Sequence, residues 1–414
     1  HHVSGYDKTE TPLPQALQAE GIAVHYADEV ANIPADSREW AWLRAQGYDI
    51  RKRSQVLGVL TAGRPTIAVA GTHGKTTTSS MVAHLLHHAG HDVGAFLGGI
   101  AVNLGSNLVV PKSPAAPVVV EADEYDRSFL TLHPDVAIVT STDADHLDIY
   151  GTKEALVESF CQFVAQLKPG GTLLLNYTAD ARVAAAAPAG TRVLRYGLTA
   201  AQGPNLFAST ITPQGHKFSF DLHGPQGVVA GLELAVPGFH NVENMLAAAA
   251  VAQLYGVGES ALRAAVADYR GVKRRFEFIV TGPEKVYVDD YAHHPREIEA
   301  FLRSLRALYP AKQLRVIFQP HLFTRTRDFA EGFSQSLSLA DEVVLLDIYP
   351  ARELPLPGVT SAMLLAGITA PLKSIQTKEE VLLNAQNDAD FAVLATVGAG
   401  DIDTLVPKLK AILQ

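Results

Sequence analysis

From Thr66 onward, short apolar runs alternate with longer stretches whose apolar residues recur every three to four positions. The short runs suit buried strands, and the three-to-four period suits helices lying on a sheet. The pattern predicts strands at 66–70 (TIAVA), 117–122 (PVVVEA), 136–141 (VAIVTS), 171–176 (GTLLLN) and 192–197 (RVLRYG). A polar stretch at 211–238 reads as hairpin strands, and the alanine-rich run at 240–256 as a strong helix with an apolar stripe. After GVKRRFE (271–277) a second series begins, with strands at 285–290, 314–320, 342–349 and 391–398. Strands alternating with helices predict an α/β fold with mostly parallel sheets.

That pattern sends attention to the strand ends, where open parallel sheets bind ligands. The first predicted strand runs into GTHGKTTT (71–78) and then at once into an amphipathic helix. A phosphate loop normally reads G-x-x-x-x-G-K-[ST]; here Gly71 and Gly74 are only three apart. The parts remain: glycines for a tight turn, Lys75 for β- and γ-phosphates, a Thr76 hydroxyl for Mg²⁺, and helix amides aimed at an anion. The same helix presents His84, His87, His88 and His91 at i, i+3, i+4 and i+7. That spacing suits a metal, but no carboxylate or cysteine joins it, so the reading adopted is a solvated polar face. The next two strands end in acids: Glu121 in EADEYDRSF, and Asp143, Asp145, His146 and Asp148 in DADHLDIYG. A carboxylate beside Lys75 and Thr76 is what a Mg²⁺-bound triphosphate needs, and Glu121 is the first candidate. Asp143 and Asp148 read equally well as helix caps.

Composition narrows the field. A chain of 414 residues, 47% hydrophobic and 19% charged, predicts two to four globular domains. Thirty-four basic against forty-three acidic residues give a net charge of −9, which argues against broad binding of nucleic acid or anionic membrane. A local basic pocket for a phosphorylated small molecule stays compatible with it. The single cysteine, Cys161, excludes an internal disulfide and suits a reducing cytoplasm. No apolar run approaches the ~18 residues of a membrane span, and no signal peptide is read. The sequence opens HHVSGYDKTE without a methionine, and the expectation is that the natural protein has further residues.

Taken together, GTHGKTTT, EADEYDRSFL, DADHLDIYG, HNVENMLAAA, GVKRRFE, DDYAHHPREI and FQPHLFTRTRDF resemble the motifs of the Mur ligases of peptidoglycan synthesis, in order and along nearly the whole chain. The resemblance implies an α/β fold of three domains: a partial N-terminal UDP-sugar domain (1–62), a central P-loop-type ATPase with a mostly parallel sheet (63–271) and a C-terminal Rossmann-like domain for the amino acid (272–414). It implies a cytoplasmic, ATP-dependent amide ligase using Mg²⁺, two ions in the fullest form, with UDP-N-acetylmuramate and L-alanine as substrates. Gly71, Thr72, His73, Gly74, Lys75, Thr76 and Thr77 would hold the triphosphate. His240, Asn241 and Asn244 would lie near adenine, Arg275 would reach the nucleotide, and Asp290 the ribose. Thr76, Glu121 and His146 would serve the metal. Tyr291, His293, His321 and Arg325 would meet the substrate, with Lys75, His146, His293 and Arg325 as the catalytic set. His293 is the candidate base for the amine; its competing reading is a cap for the helix starting at Pro295.

The chain departs from the family pattern in four places. The glycine-rich opening of the first domain is missing, and so is a strand between IPAD and SREW. Cys161 stands where many relatives have a carbamylated lysine, and Leu322 where some have arginine. Three rivals stay open: a ligase for a recycled peptide on the same UDP-sugar, a folylpolyglutamate-synthase-like ligase, and a P-loop NTPase that makes no bond. The short EYDRSFLTLHPD segment favours alanine over the peptide, and the HHP and FTRTRDF motifs disfavour the folate reading.

Overall fold

A computed structural model of the chain describes residues 4–6, 18–19, 21, 23–25, 38–145, 147–351, 353–387 and 391–414. They fall into two compact units, His1–Leu60 and Thr61–Gln414. In the first, β1 (Ser4–Tyr6) and β2 (Ala23–His25) pair in parallel with Ser4 opposite Ala23, and the helix Arg38–Ala45 follows. Residues 26–37, where a family strand is missing from the sequence, lie outside the described residues.

The second unit holds two sheets. The larger comprises β3 (Thr66–Ala70), β4 (Gly94–Ala101), β5 (Ser106–Val109), β6 (Val118–Glu121), β7 (Val136–Val139), β8 (Thr172–Asn176), β9 (Arg192–Gly197), β10 (Leu206–Gln214), β11 (Lys217–Gly224) and β12 (Gly227–Leu234). Their order is β12-β11-β10-β9-β8-β7-β3-β6-β4-β5. Strands β10, β9, β8, β7, β3, β6 and β4 run parallel, and antiparallel hairpins finish both edges. Strands β3, β7 and β8 are buried along their whole length, as continuous apolar runs in a sheet covered on both faces should be. The pattern reading missed β4 and β5. Gly98 and Gly99 interrupt the apolar run of β4, and β5 is an edge strand without a buried face.

Helix α1 (Lys75–His88) packs on α3 (Phe239–Leu254), and a further helix, α2 (Lys153–Ala165), lies between β7 and β8 in the chain. Met81, Val82, Leu85 and Leu86 of α1 are fully buried with the alanines of α3; each large side chain contributes roughly 2 kcal/mol of burial. The expected histidine face needs correction. His87 and His88 are exposed, but His84 is buried and its Nε2–H donates to the Ala265 carbonyl at 2.8 Å. Burial pushes its pKa down, so it is a neutral core residue.

The smaller sheet comprises β13 (Glu277–Thr281), β14 (Val286–Asp290), β15 (Leu314–Phe318), β16 (Glu342–Leu345), β17 (Leu372–Ile375) and β18 (Val393–Val397), in the order β13-β14-β18-β15-β16-β17. All pairs are parallel except β13–β14. The two strands absent from the pattern reading, β13 and β17, are its edges, where one-sided exposure breaks the apolar run. Helix α4 (Pro295–Leu308) follows β14 and helix α5 (Phe323–Asp328) follows β15. Among the described residues no helix is long and apolar enough to cross a membrane.

Candidate active site

The site begins at the carboxyl ends of β3, β6 and β7. Gly71 has φ 134°, and a Cβ there would strike Thr140 Oγ1 and approach the Ser141 amide to 2.8 Å. Gly74, at φ 80°, is the N-cap of α1, and a Cβ on it would lie 2.9 Å from Asn244 Oδ1. Both positions therefore demand glycine. The turn is held from behind: Ser141 Oγ accepts from the His73 amide at 2.9 Å and lies 2.6 Å from Thr72 Oγ1, while Thr140 Oγ1 donates to the His73 carbonyl. Since Gly74 has no side chain to cap α1, the amides of its first turn face outward, as an anion site requires.

Lys75 and the acids after β6 divide into two roles. Lys75 Nζ donates to the Gly71 carbonyl at 2.8 Å and to Glu124 Oε1 at 2.8 Å, with Oε2 at 2.7 Å. Burial opposes the ammonium charge, but Glu124, aided by Asp123 and Glu121, outweighs it and raises the lysine pKa. Burial likewise pushes the Glu124 carboxyl up, but with the ammonium at that distance the pair is ionic. Glu121 turns elsewhere. Its Oε2 accepts from the Gly98 amide at 2.9 Å, and a Cβ on Gly98 would run into both carboxylate oxygens. A Cβ on the next residue, Gly99, would lie 3.2 Å from the Thr76 methyl. The Gly98–Gly99 backbone is thus bordered by the Glu121 carboxylate, the Thr76 methyl and the Val272 side chain; of these residues Thr76 and Glu121 carry oxygen donors, the type suited to Mg²⁺. His146 lies outside the described residues, and no cluster of three metal-ligating residues occurs among those described.

A cavity of about 190 Å³ is lined by His73, Gly74, Thr77, His240, Asn241, Asn244, Arg275 and Asp290. Lys75, Thr76 and Glu121 are not among its lining residues. Asn241 Nδ2 is tied to the Pro237 carbonyl at 2.8 Å, and burial drops the His240 pKa to about 4. Asn176 and Glu243 are among the lining residues that escaped the sequence reading. Asn176 ends β8 and accepts from Thr178 N at 2.9 Å; Glu243 is a half-buried acid whose pKa burial raises. The strand-end rule applied to GTLLLN would have found Asn176, but Glu243 carries no signal within an alanine-rich helix.

The far wall comes from the smaller sheet. Asp290, at the end of β14, accepts from Phe276 N and Ala292 N, each at 2.7 Å, and burial raises its pKa to about 6. The Arg275 guanidinium lies 5.1 Å above the Tyr291 ring, a cation–π contact. His293 Nδ1 lies 3.0 Å from the Tyr291 carbonyl. A carbonyl only accepts, so Nδ1 carries the proton and Nε2 keeps a lone pair. Burial lowers the His293 pKa, Glu297 opposing and Arg325 assisting, so the ring is neutral near pH 7. The capping duty considered for His293 falls instead to His294, whose Nδ1 accepts from Arg296 N at 3.3 Å. His321 stacks on Tyr349 at 5.7 Å and lies 3.5 Å from Arg325 Nη1; burial lowers its pKa to about 4.

Glu297, in the first turn of α4, joins these groups and also escaped the sequence reading. It accepts from His293 N at 3.0 Å, sits 3.3 Å from His73 Nδ1 and 3.9 Å from Arg275. Burial would raise its pKa, but His293, His73 and Arg275 hold it well below the usual range. Arg296 grips Asp143 with two 2.8 Å bonds, and Arg325 lies 3.6 Å from Asp145 in a nearly buried pair. Asp143 therefore bridges the two sheets and does not cap a helix. Cys161 takes no part, since its charged neighbours are Glu158, Arg182 and Asp180.

Residues 69–252 match the model of the Mur ligase middle domain, and residues 274–405 that of the Mur ligase glutamate ligase domain. The UDP-N-acetylmuramate–L-alanine ligase of Porphyromonas gingivalis is 44% identical over the whole of this chain and 94% of its own. That of Cytophaga hutchinsonii is 42% identical over the whole chain and 92% of its own. The chain belongs to the Mur ligase family. The crystal structure of the UDP-N-acetylmuramate–alanine ligase of Thermotoga maritima agrees with this Mur ligase at TM-score 0.79 and 25% identity, covering 99% of this chain and 92% of that one. This Mur ligase is therefore an ATP-dependent ligase of multidomain α/β architecture.

Proposed function

We propose that this Mur ligase joins L-alanine to the lactyl carboxylate of UDP-N-acetylmuramate, with ATP converted to ADP and phosphate. The observation carrying the substrate assignment is the 44% identity along the full chain to a protein of that name; the geometry supports the reaction type. A carboxylate has no good leaving group, so it is first phosphorylated. A lactyl oxygen attacks the γ-phosphorus, the bond to the β-phosphate oxygen breaks, and ADP leaves. The alanine amine then attacks the acyl carbon, and phosphate departs with the C–O electron pair. Most of the protein's work is placement and charge neutralisation.

In this reading the glycine turn and α1 amides hold the phosphates of ATP, and Lys75 neutralises charge on the terminal ones. The cavity along Asn241, Asn244, Asn176 and Glu243 takes the adenosine end, with Arg275 and Asp290 at its rim. Thr76 and Glu121 would hold Mg²⁺, and a second ion would use His146. When bound, the metal offsets repulsion between the phosphate and the incoming carboxylate. Arg325 clamps an anion, with Asp145 holding the guanidinium until one arrives. His293 Nε2 accepts the proton that alanine must lose, since only the neutral amine is nucleophilic. The domains 1–62, 63–271 and 272–414 would divide these tasks as UDP-sugar, ATP and amino-acid binding, in the cytoplasm.

The test is ADP release with UDP-N-acetylmuramate against a panel of amino acids and peptides. L-alanine should give at least tenfold higher kcat/KM than the others, about the discrimination one methylene allows. Preference for a tripeptide would move the chain to the peptide-ligase reading. ATP turnover without any acceptor would move it to the NTPase reading.

A further inference from the structure

We propose that Glu124 is a positioning residue for phosphoryl transfer, fixing the Lys75 ammonium against the triphosphate; this rests on the function proposed above. Glu124 is fully buried, and Lys75 is 13% exposed. A carboxylate removed from water costs several kcal/mol unless it is paired, so a packing role alone would favour an apolar side chain at this position. Glu121 ends β6 and Glu124 follows three residues later in the loop, yet their oxygens face different things. Those of Glu121 lie against Gly98, whereas both oxygens of Glu124 sit at 2.7–2.8 Å from Lys75 Nζ.

The mount behind Glu124 is rigid. Tyr150 Oη donates to the Glu124 carbonyl at 2.5 Å, and that ring is buried. Glu124 is also the N-cap of the 3₁₀ turn Tyr125–Thr131, whose Phe129 is stacked on Phe163 at 5.0 Å and meets Phe160 edge-on. Gly71 supplies the second fixed acceptor through its carbonyl. An ammonium has three hydrogens. Two anchors, one in the turn and one across from it, set where the nitrogen sits and in which direction its remaining hydrogen points. An untethered lysine would be spread over many rotamers, and displacement of about 1 Å can cost 10²-fold in rate.

Glu124 acts only through Lys75, so its loss should show in turnover more than in binding. In Glu124→Gln the lysine charge persists and still draws the nucleotide in. We expect kcat for ADP release to fall about 10- to 100-fold, with KM for ATP within about threefold of wild type and Tm unchanged. Glu124→Asp, which keeps the charge but shortens the reach, should recover part of the loss. In a Lys75→Ala background, Glu124→Gln should change the residual turnover less than about twofold, because nothing remains to position. A Glu124→Gln enzyme with kcat within twofold of wild type overturns the proposal. So does an equal loss in the Lys75→Ala background, or a variant that fails to fold, since the role is then structural. A wild-type enzyme that releases no ADP with UDP-N-acetylmuramate and L-alanine defeats the assigned reaction itself. An active wild type with an indifferent Glu124 defeats this inference alone.

Discussion

The carboxyl ends of β3, β6 and β7 and those of β14, β15 and β18 are both loops after buried parallel strands, yet they treat charge in opposite ways. At the first edge charge is kept: Lys75 stays an ammonium against a buried carboxylate. At the second edge imidazoles are kept neutral, with burial lowering His293 and taking His294 and His321 to about 4. The difference follows from the partners. Glu124 puts two oxygens on one cation, whereas Glu297 is shared among His73, His293 and Arg275. A fixed charge suits phosphate neutralisation, and a neutral imidazole with a free lone pair suits taking a proton from an amine. In the proposed reaction those are two successive needs.

The largest effect that could break this contrast is at Lys75. Lys75→Ala should lower turnover about 10³-fold, the scale of losing one preorganised charge donor, measured as ADP release; a loss below tenfold would put charge neutralisation elsewhere. Next comes His293→Ala, expected to cost about 10²-fold in kcat. Because its pKa lies below the ordinary 6.5, the wild-type acid limb should fall below that pH. The variant should lose this limb, and an unchanged limb would assign the base to another group.

Stability against pH sharpens the same comparison. His240, His294 and His321 have folded pKa values of about 4, below the unfolded value near 6.5. The unfolded chain therefore binds more protons between those limits, and stability is lost as pH falls from about 6.5 towards 4. Asp290, raised to about 6, works in the opposite sense: its contribution is lost as pH rises through that value. His294→Asn should therefore lessen the loss of stability on acidification by about 2 kcal/mol, read from urea unfolding at pH 7 and pH 5. An unaltered pH dependence would mean that His294 is not held neutral. The smallest effect belongs to Arg296, whose side chain is 66% exposed in its bond to Asp143. Arg296→Ala should cost no more than about 1 kcal/mol of stability, and a larger loss would mark Asp143–Arg296 as a principal tie between the sheets.

The first edge is more legible in the sequence than the second. GTHGKTTT encodes its own turn, because glycine spacing, lysine and helix start are neighbours in sequence and constrain one another locally. Glu124 stood within the quoted EADEYD motif but went unassigned, since nothing in the string says which of four neighbouring acids faces the lysine. Glu297 was missed for a similar reason. One helical turn after His293 it looks like a first-turn acid favouring the helix dipole, and only the approach of His73, 224 residues away, makes it a hub. The histidines of α1 went the other way: spacing suggested one polar face, and packing against Tyr269 buried His84.

The sequence alone determined the alternation of strands and helices, the tight turn before α1 with its obligatory glycines, and the strand ends where acids and histidines gather. These are short-range matters of periodicity, φ angles and neighbouring residue types. Tertiary structure decided which acid pairs with Lys75, which acid turns instead to the Gly98 amide, and which histidines lose their charge. Protonation and pairing depend on burial and on through-space distance between residues far apart in the chain, and no local pattern encodes either.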